Sequence, residues 1–236
     1  EFTAKNFTAG VNLYHMNYKD QLVPTGEMKL DKPITRNFDK SYRMGVELSA
    51  AWMPVDWFRW DANATFSKNR VKDVTVALTD GTVYTIAGES QLAFSPNTVF
   101  NNVFTFDKAG FRGMVMSHFV GEQNLTNTGF KTMQTQDAGG NMVNDLISLK
   151  QYFTTDIDLS YTFSLKALAL KEATIGVTLY NLFSSKYDNN GWAAPQYRLD
   201  GSTLVAENTW GTRDSEAAGF APSAPFHFMA RLAVTF

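Results

Sequence analysis

Residues 41–52 read SYRMGVELSAAW, and this stretch decides the fold. Apolar or aromatic side chains at the even positions, from Tyr42 to Trp52, alternate with mostly small or charged side chains at the odd positions. Because successive side chains of a β-strand point to opposite faces, this order gives one apolar and one polar face. The stretch is therefore predicted to be a β-strand with one face shielded from water and one face in contact with water.

The same two-residue period recurs along the chain and predicts an all-β protein. Further segments of this kind are 7–18, 57–69, 98–107, 111–121, 151–164, 172–183 and 226–236. The apolar stripes are close to the ~9–11 residues that a tilted strand needs to cross a bilayer. Aromatic residues such as Trp52, Trp57 and Phe236 lie at segment ends, as in interfacial girdles. The expected fold is an antiparallel, up-and-down transmembrane β-barrel with about eight strands in this chain; the alternative is a soluble β-sandwich with one solvated face.

The links between these segments alternate strictly between short and long. The short links are 53–56, 108–110 and 165–171, and the long links are 19–40, 70–97, 122–150 and 184–224. Outer-membrane barrels have short periplasmic turns and long extracellular loops, whereas a sandwich has no reason to alternate in this way. The pattern predicts a bacterial outer-membrane protein whose long links are extracellular and whose last residue, Phe236, lies in the periplasm.

Composition excludes several other classes. There is no run of 18 apolar residues, which excludes a transmembrane helix, and there is no cysteine for a disulfide or a thiolate metal site. The formal net charge of −2 without a basic run argues against a nucleic-acid partner. The chain begins at Glu1 inside a strand-like segment and without a signal peptide, so we expect a mature or truncated product.

Several short motifs resemble those of TonB-dependent outer-membrane receptors. Residues 177–183 read VTLYNLF and lead into the last long link, like the Asn-Leu-Phe segment of the penultimate strand in that family. Residues 11–14 (VNLY) and 45–48 (GVEL) are also similar to strand segments of the family. The final residues, 227–236, resemble the last strand of outer-membrane proteins, and the resemblance makes Phe236 the signal read by the barrel-assembly machinery.

The resemblance implies a receptor that imports a nutrient with energy coupled through TonB, and not an enzyme. The family barrel has about twenty-two strands. Residues 1–236 would then be the C-terminal portion of that barrel, with the plug domain, the TonB contact and the upstream strands elsewhere. The implied partners are the lipid bilayer, the TonB complex, the assembly machinery and an extracellular ligand, with a surface lipoprotein as a further candidate. A siderophore, cobalamin, an oligosaccharide or a peptide would all be compatible ligands.

Candidate binding residues lie in the last long link, where aromatic side chains are interleaved with amides and charges. The candidates for ligand contact are Trp192, Tyr197, Arg198 and Trp210. Such side chains suit sugars and other amphipathic ligands, although they also form the internal packing of long ordered loops. The sequence therefore leaves both a binding role and a packing role open.

No catalytic, cofactor or metal site is predicted. His15, His118 and His227 lie on three different segments and are expected to be lumen-facing or interfacial polar residues. Asp156 and Asp158 share one face of a strand and are expected to line a wet lumen. Two alternatives stay open: a complete eight-stranded barrel with a structural or adhesive role, and an outer-membrane enzyme, for which no nucleophile motif is present.

Overall fold

The computed structural model describes residues 1–29, 32–137, 139–164, 171–212 and 217–236; for 24–29, 32–34 and 209–212 only the backbone is described. In chain order the strands are β1 (Phe2–Ala4), β2 (Phe7–Lys29), β3 (Lys32–Val55), β4 (Phe58–Ala77), β5 (Val83–Gln91), β6 (Thr98–Lys108), β7 (Phe111–Val120), β8 (Gln123–Asn124), β9 (Thr132–Gln136), β10 (Met142–Leu146), β11 (Ser148–Leu149), β12 (Tyr152–Ser164), β13 (Glu172–Tyr180), β14 (Asp188–Ala193), β15 (Gln196–Asp200), β16 (Thr203–Thr212), β17 (Ala218–Pro222) and β18 (His227–Thr235). Within these ranges no helix has the length and apolar character needed to cross a membrane.

One antiparallel sheet forms the wall, in the order β1-β2-β3-β4-β6-β7-β12-β13-β18, with β5 added beside the upper part of β4. Each long strand pairs with its neighbours along the chain, which is the up-and-down arrangement predicted from the alternation. All eight predicted segments are strands, and β1 and β5 bring the sheet to ten. Among the described residues β18 pairs with β13 alone, so the sheet is an open wall and not a closed eight-stranded ring.

The two faces of the wall are those that the sequence predicted. On β12, Ile157 and Leu159 stand opposite Leu179 and Val177 of β13 on the apolar face, while Asp158 stands opposite Thr178 on the polar face. Apolar residues on the outer face remain well exposed; Leu13, for example, is 73% exposed. A soluble sandwich would bury such a continuous apolar surface, so the face is one that contacts lipid.

Two predicted long links are largely strand instead of loop. β2 and β3 continue above the wall as one tall hairpin through most of 19–40, and β4 continues to Ala77 and turns back as β5 within 70–97. A cluster of buried side chains joins these extensions: Val23, Phe38, Val71, Val74 and Leu92. The segment predicted as 172–183 ends as a strand at Tyr180, and most of the predicted short link 165–171 lies outside the described residues.

The other two long links fold together into a layer above the wall, here called the loop layer (122–150 and 184–224). It contains the sheet β10-β9-β16-β15 and two shorter ladders. Its core includes side chains at and just after the upper end of β4. The core residues are Val76, Leu78, Leu125, Met133, Ile147, Leu149, Ala193, Tyr197, Ala206 and Ala217. Because the side chains of this core are almost fully buried, the loop layer is an ordered platform on the long-link side of the wall.

Candidate ligand-binding site

Tyr197 stands at the centre of the loop layer. It lies on β15 and is only 4% exposed. Its ring packs against Phe130 at 6.0 Å between centroids, and its hydroxyl lies 3.3 Å from Thr128 Oγ1, within hydrogen-bond distance. This residue packs the platform and offers little surface to a ligand.

Trp192 lies on β14, in the ladder with β17, opposite Gly219. A Cβ atom at position 219 would overlap the Trp192 indole, so the glycine is what lets the ring lie flat across β17. The side chain of Trp192 is half-buried, so part of its surface stays accessible. Trp192 therefore combines a fixed position with surface that a ligand could contact.

Arg198 follows Tyr197 on β15 and points to the opposite face. Its Nε donates to Glu207 Oε2 at 2.6 Å, and its Nη1 lies 3.6 Å from Asp200 Oδ2. The hydrogen bond to Glu207 raises the pKa of Arg198 above its ordinary value. The guanidinium is thus a fixed and partly exposed cation.

The structure brings Tyr197 and Arg198 together on β15, and it places Trp192 on a separate ladder of the same layer. The backbone of Trp210 belongs to β16, but its side chain lies outside the described part of the chain. Ligand contact stays a prediction for all four residues.

A second group of aromatic side chains lies on the polar face, where the wall strands meet the loop layer. We call this group the aromatic rim; it consists of His118, Tyr152, Tyr187, Tyr180 and His227. Tyr152 and Tyr187 stack at 4.0 Å between centroids, and His118 lies 6.0 Å from Tyr152. Tyr180 and His227 stack at 4.8 Å. All five lie at strand ends or in a link on the long-link side, which is the side predicted to be extracellular.

Hydrogen bonds across three strands orient part of the rim. Asn101 Oδ1 accepts from His118 Nδ1, and Asn101 Nδ2 donates to Asn63 Oδ1 at 2.8 Å. Of the rim residues, only Tyr187 belongs to the group of aromatic side chains in the last long link that the sequence indicated for recognition; His118, Tyr152, Tyr180 and His227 were not predicted to bind a ligand. Their position on the polar face and their closeness to the long links are the signals that could have found them.

The remaining polar residues have structural roles. Asp158 accepts two hydrogen bonds from Arg231, at 2.6 and 2.8 Å, and one from Thr178 at 2.6 Å. Asp156 Oδ1 accepts from the backbone N–H of Asn181 at 2.7 Å. His15 lies on the outer face beside Tyr42, away from the other two histidines. Within the described ranges no group of three metal-ligating side chains converges.

Asn181, in the motif at 177–183, begins the last long link. Its φ of 47° is left-handed, a conformation that Asn tolerates better than most residues. Its buried amide donates to the carbonyls of Ser185 at 2.9 Å and Ala224 at 3.1 Å, and it accepts from the Ser185 N–H at 2.9 Å. One side chain therefore ties the start of the link to its end.

An open antiparallel wall with a lipid-exposed apolar face, a polar inner face and an ordered layer of long links defines part of an outer-membrane β-barrel. Residues 1–182 match the family model "TonB dependent receptor-like, beta-barrel", and the chain belongs to this family. The family consists of transporters, not enzymes. No curated protein matches the chain.

Solved structures of receptors share the fold. The ferric-catecholate import receptor Fiu from E. coli K12 is 16% identical with a TM-score of 0.55, over 97% of this chain and 25% of that one. The ferric yersiniabactin uptake receptor FyuA from Yersinia pestis is 16% identical with a TM-score of 0.56; the match covers 100% of this chain and 28% of FyuA. The copper transporter OprC is 12% identical with a TM-score of 0.56; the match covers 98% of this chain and 29% of OprC. The chain thus spans about a quarter of the length of these receptors.

Proposed function

We propose that this chain is the C-terminal part of an outer-membrane receptor that imports a nutrient with energy coupled through TonB. The ligand first contacts the loop layer and the aromatic rim, and then passes along the polar inner face. Siderophore chelates, cobalamin, oligosaccharides and peptides are the candidate ligands. Fiu and FyuA are named for ferric uptake and OprC for copper, so a metal or a metal chelate is the first class to test.

The observation that supports this proposal is the aromatic rim beneath the platform. Stacked tyrosines present flat apolar faces with hydroxyl groups at their edges, which suit amphipathic ligands. Tyr152 and Tyr187 hold each other at 4.0 Å, so little conformational entropy is lost when a ligand settles against them. Trp192 and Arg198 add a ring and a cation above.

The other partners follow from the same assignment. The plug domain, the TonB contact and the upstream strands belong to other parts of the receptor, and residues 1–236 supply wall, loops and part of the lumen. Phe236 follows β18 and is 72% exposed, and we propose it as the signal that the barrel-assembly machinery reads. A surface lipoprotein over the loop layer is compatible with this arrangement.

The test is uptake by cells that depend on this receptor, supplied in turn with ferric siderophore chelates, cobalamin, oligosaccharides and peptides. For the nutrient that supports growth, Tyr187→Ala is expected to weaken binding by roughly five- to thirtyfold, about 1–2 kcal/mol for one aromatic contact. Binding to purified receptor by calorimetry gives the size of the effect.

The matched control is Tyr161→Ala, which removes the same side chain from the lipid-facing side of β12. This variant is expected to bind and import normally. If no nutrient depends on the receptor, or if both variants lose uptake equally, the proposal is wrong.

A further inference from the structure

On the long-link side, the apolar band on the outer face of the wall gives way to polar and charged side chains between two neighbouring rows of residues. One row across β2, β3 and β4 contains Leu13, Val46 and Phe66, and the next row outward contains His15, Met44 and Lys68. Beyond it, Arg70 and Lys72 follow on the same face of β4. Since charged side chains avoid the hydrocarbon, this row marks the level of the lipid headgroups.

At this level Tyr42 and Glu89 both contact the ammonium groups of two lysines. The Nζ atoms of Lys68 and Lys72 lie 5.6 and 5.8 Å from the centre of the Tyr42 ring. Both also contact Glu89, Lys68 at 2.9 Å and Lys72 at 3.6 Å, and the Tyr42 hydroxyl donates to the same carboxylate at 2.8 Å. We call Lys68, Arg70 and Lys72, with Tyr42 and Glu89, the outer cationic patch.

The two lysines of the patch have more N–H donors than the contacts described above use. Each ammonium has three N–H donors, and the contacts above occupy only some of them. The lysine side chains are 49% and 44% exposed, so the remaining donors face outward. Arg70 lies on the same face of β4 and donates to the Asn69 carbonyl at 2.9 Å. With three cations and one acid, the patch carries a net charge of about +2 by this count.

The neighbouring cleft between β3 and β4 has a nearly balanced charge. It has a volume of about 170 Å³ and is lined by Arg36, Lys40 and Lys72 together with the acids Asp39 and Asp73. Asp73 Oδ1 accepts a hydrogen bond from the Gly88 N–H at 3.0 Å. The cleft therefore adds no negative excess beside the patch.

We propose that the outer cationic patch binds the phosphate group of a membrane lipid headgroup. A phosphate seated between Lys68 and Lys72 would accept hydrogen bonds from both ammonium groups, with the acyl chains lying along the apolar band below. The site lies on the outside of the wall, away from the lumen, so this proposal does not depend on the import function.

The experiment uses native receptor extracted from membranes and measures binding of lipid A by native mass spectrometry. The lipid is supplied with both phosphates or after their enzymatic removal. The phosphorylated lipid is expected to bind, and Lys68→Gln with Lys72→Gln is expected to weaken it about tenfold or more, given roughly fivefold per lysine near a membrane surface. Glu89→Gln is expected to strengthen binding severalfold, because it removes the competing carboxylate.

The matched control removes two lysines elsewhere, Lys108→Gln with Lys131→Gln. Lys108 also lies over a ring, 5.5 Å from the centre of Trp57, at the opposite end of the wall, and Lys131 lies in the loop layer. Unchanged binding in this control, with every variant migrating as a folded barrel in unheated gels, supports the patch.

Three outcomes would overturn the proposal. Equal binding of the dephosphorylated lipid would show that phosphate is not recognised. Equal loss in the control would show that the effect comes from overall charge. Displacement of the lipid by millimolar inorganic phosphate, with retention of phosphate alone, would make the patch a site for free anions and not for a lipid.

Discussion

At the residue scale, single polar side chains fasten the links to the wall. Asn181 is 5% exposed and uses both atoms of its amide to connect the two ends of the last long link. A buried amide that makes several hydrogen bonds cannot be truncated without leaving its partners unsatisfied. The identity of this residue is therefore set by both its backbone conformation and its partners.

Asn181→Ala is expected to destabilise the protein by about 2–4 kcal/mol, from the lost hydrogen bonds and the left-handed φ. Asn181→Gly is expected to cost less, because glycine adopts that φ freely. Urea unfolding in lipid vesicles measures both. Asn189→Ala, at an exposed position of the same link, is the control, and an equal loss there would contradict the assignment.

The ionisation of Glu89 gives a prediction about pH. The hydrogen bond from Lys68, followed by that from Tyr42, lowers the pKa of Glu89 from 4.5 to about 2. Because the folded value lies below the unfolded one, the stabilising contribution is present above about pH 4.5 and is lost as the pH falls through about 2.

A carboxyl ¹³C titration of glutamate-labelled protein checks this, with Glu89→Gln identifying the resonance. Lys68→Gln is expected to move the pKa of Glu89 back toward 4.5. A midpoint near 4.5 in the unsubstituted protein would contradict the bridge.

At the element scale, the last strand is held to the wall by more than its backbone ladder. Arg231 of β18 reaches across Gly176 of β13 to Asp158 of β12, and it also lies 3.0 Å from Thr178 Oγ1. A Cβ atom at Gly176 would lie only 2.8 Å from Arg231 Nε, so the glycine leaves room for the arginine to cross. A three-strand connection of this kind requires a small residue on the middle strand.

Gly176→Val is expected to displace Arg231 and to destabilise the wall by about 1–3 kcal/mol. In an Arg231→Ala background the same substitution is expected to cost less, because the atoms that it would displace are absent. A double-mutant cycle measured by unfolding in vesicles gives the coupling. Additive effects of the two substitutions would argue against the crossing.

At the scale of the whole molecule, the wall is stable in lipid and the loop layer is stable in water. The wall exposes its apolar face to lipid, whereas the loop layer buries a core of its own in water, with Leu125 and Ile147 fully buried. The Ile147 N–H donates to the Lys131 carbonyl at 2.8 Å, and its carbonyl accepts from Leu125 at 3.1 Å. The layer should therefore open locally while the wall stays intact.

Ile147→Ala is expected to cost about 2–5 kcal/mol within the loop layer. Limited proteolysis should then cut within 122–150 at least tenfold faster, while the barrel still migrates as a folded species. The control is Ile175→Ala on the lipid-facing side of β13, where the side chain is 51% exposed. Equal loop cleavage in both variants would show that the two parts unfold together.

The sequence alone determined the class of fold, the two faces of the wall, the up-and-down order and the outer-membrane location. A strand in a membrane wall faces lipid on one side and water on the other. Its two-residue alternation is therefore visible in the local sequence, as in residues 41–52. The alternation of short and long links is likewise readable without contacts, and the motif at 177–183 pointed to the family whose model matches residues 1–182.

Only the tertiary structure decided what happens above the membrane. The extensions of β2, β3 and β4 were predicted as loops, because the buried side chains that join them, such as Val23, Phe38 and Val74, lie far apart in the sequence. The packing of Tyr197, the stack of Tyr152 on Tyr187 and the gathering of Lys68 and Lys72 around Tyr42 join residues that the sequence leaves apart. Contacts of this kind depend on register and on link folding, which local side-chain patterns do not encode.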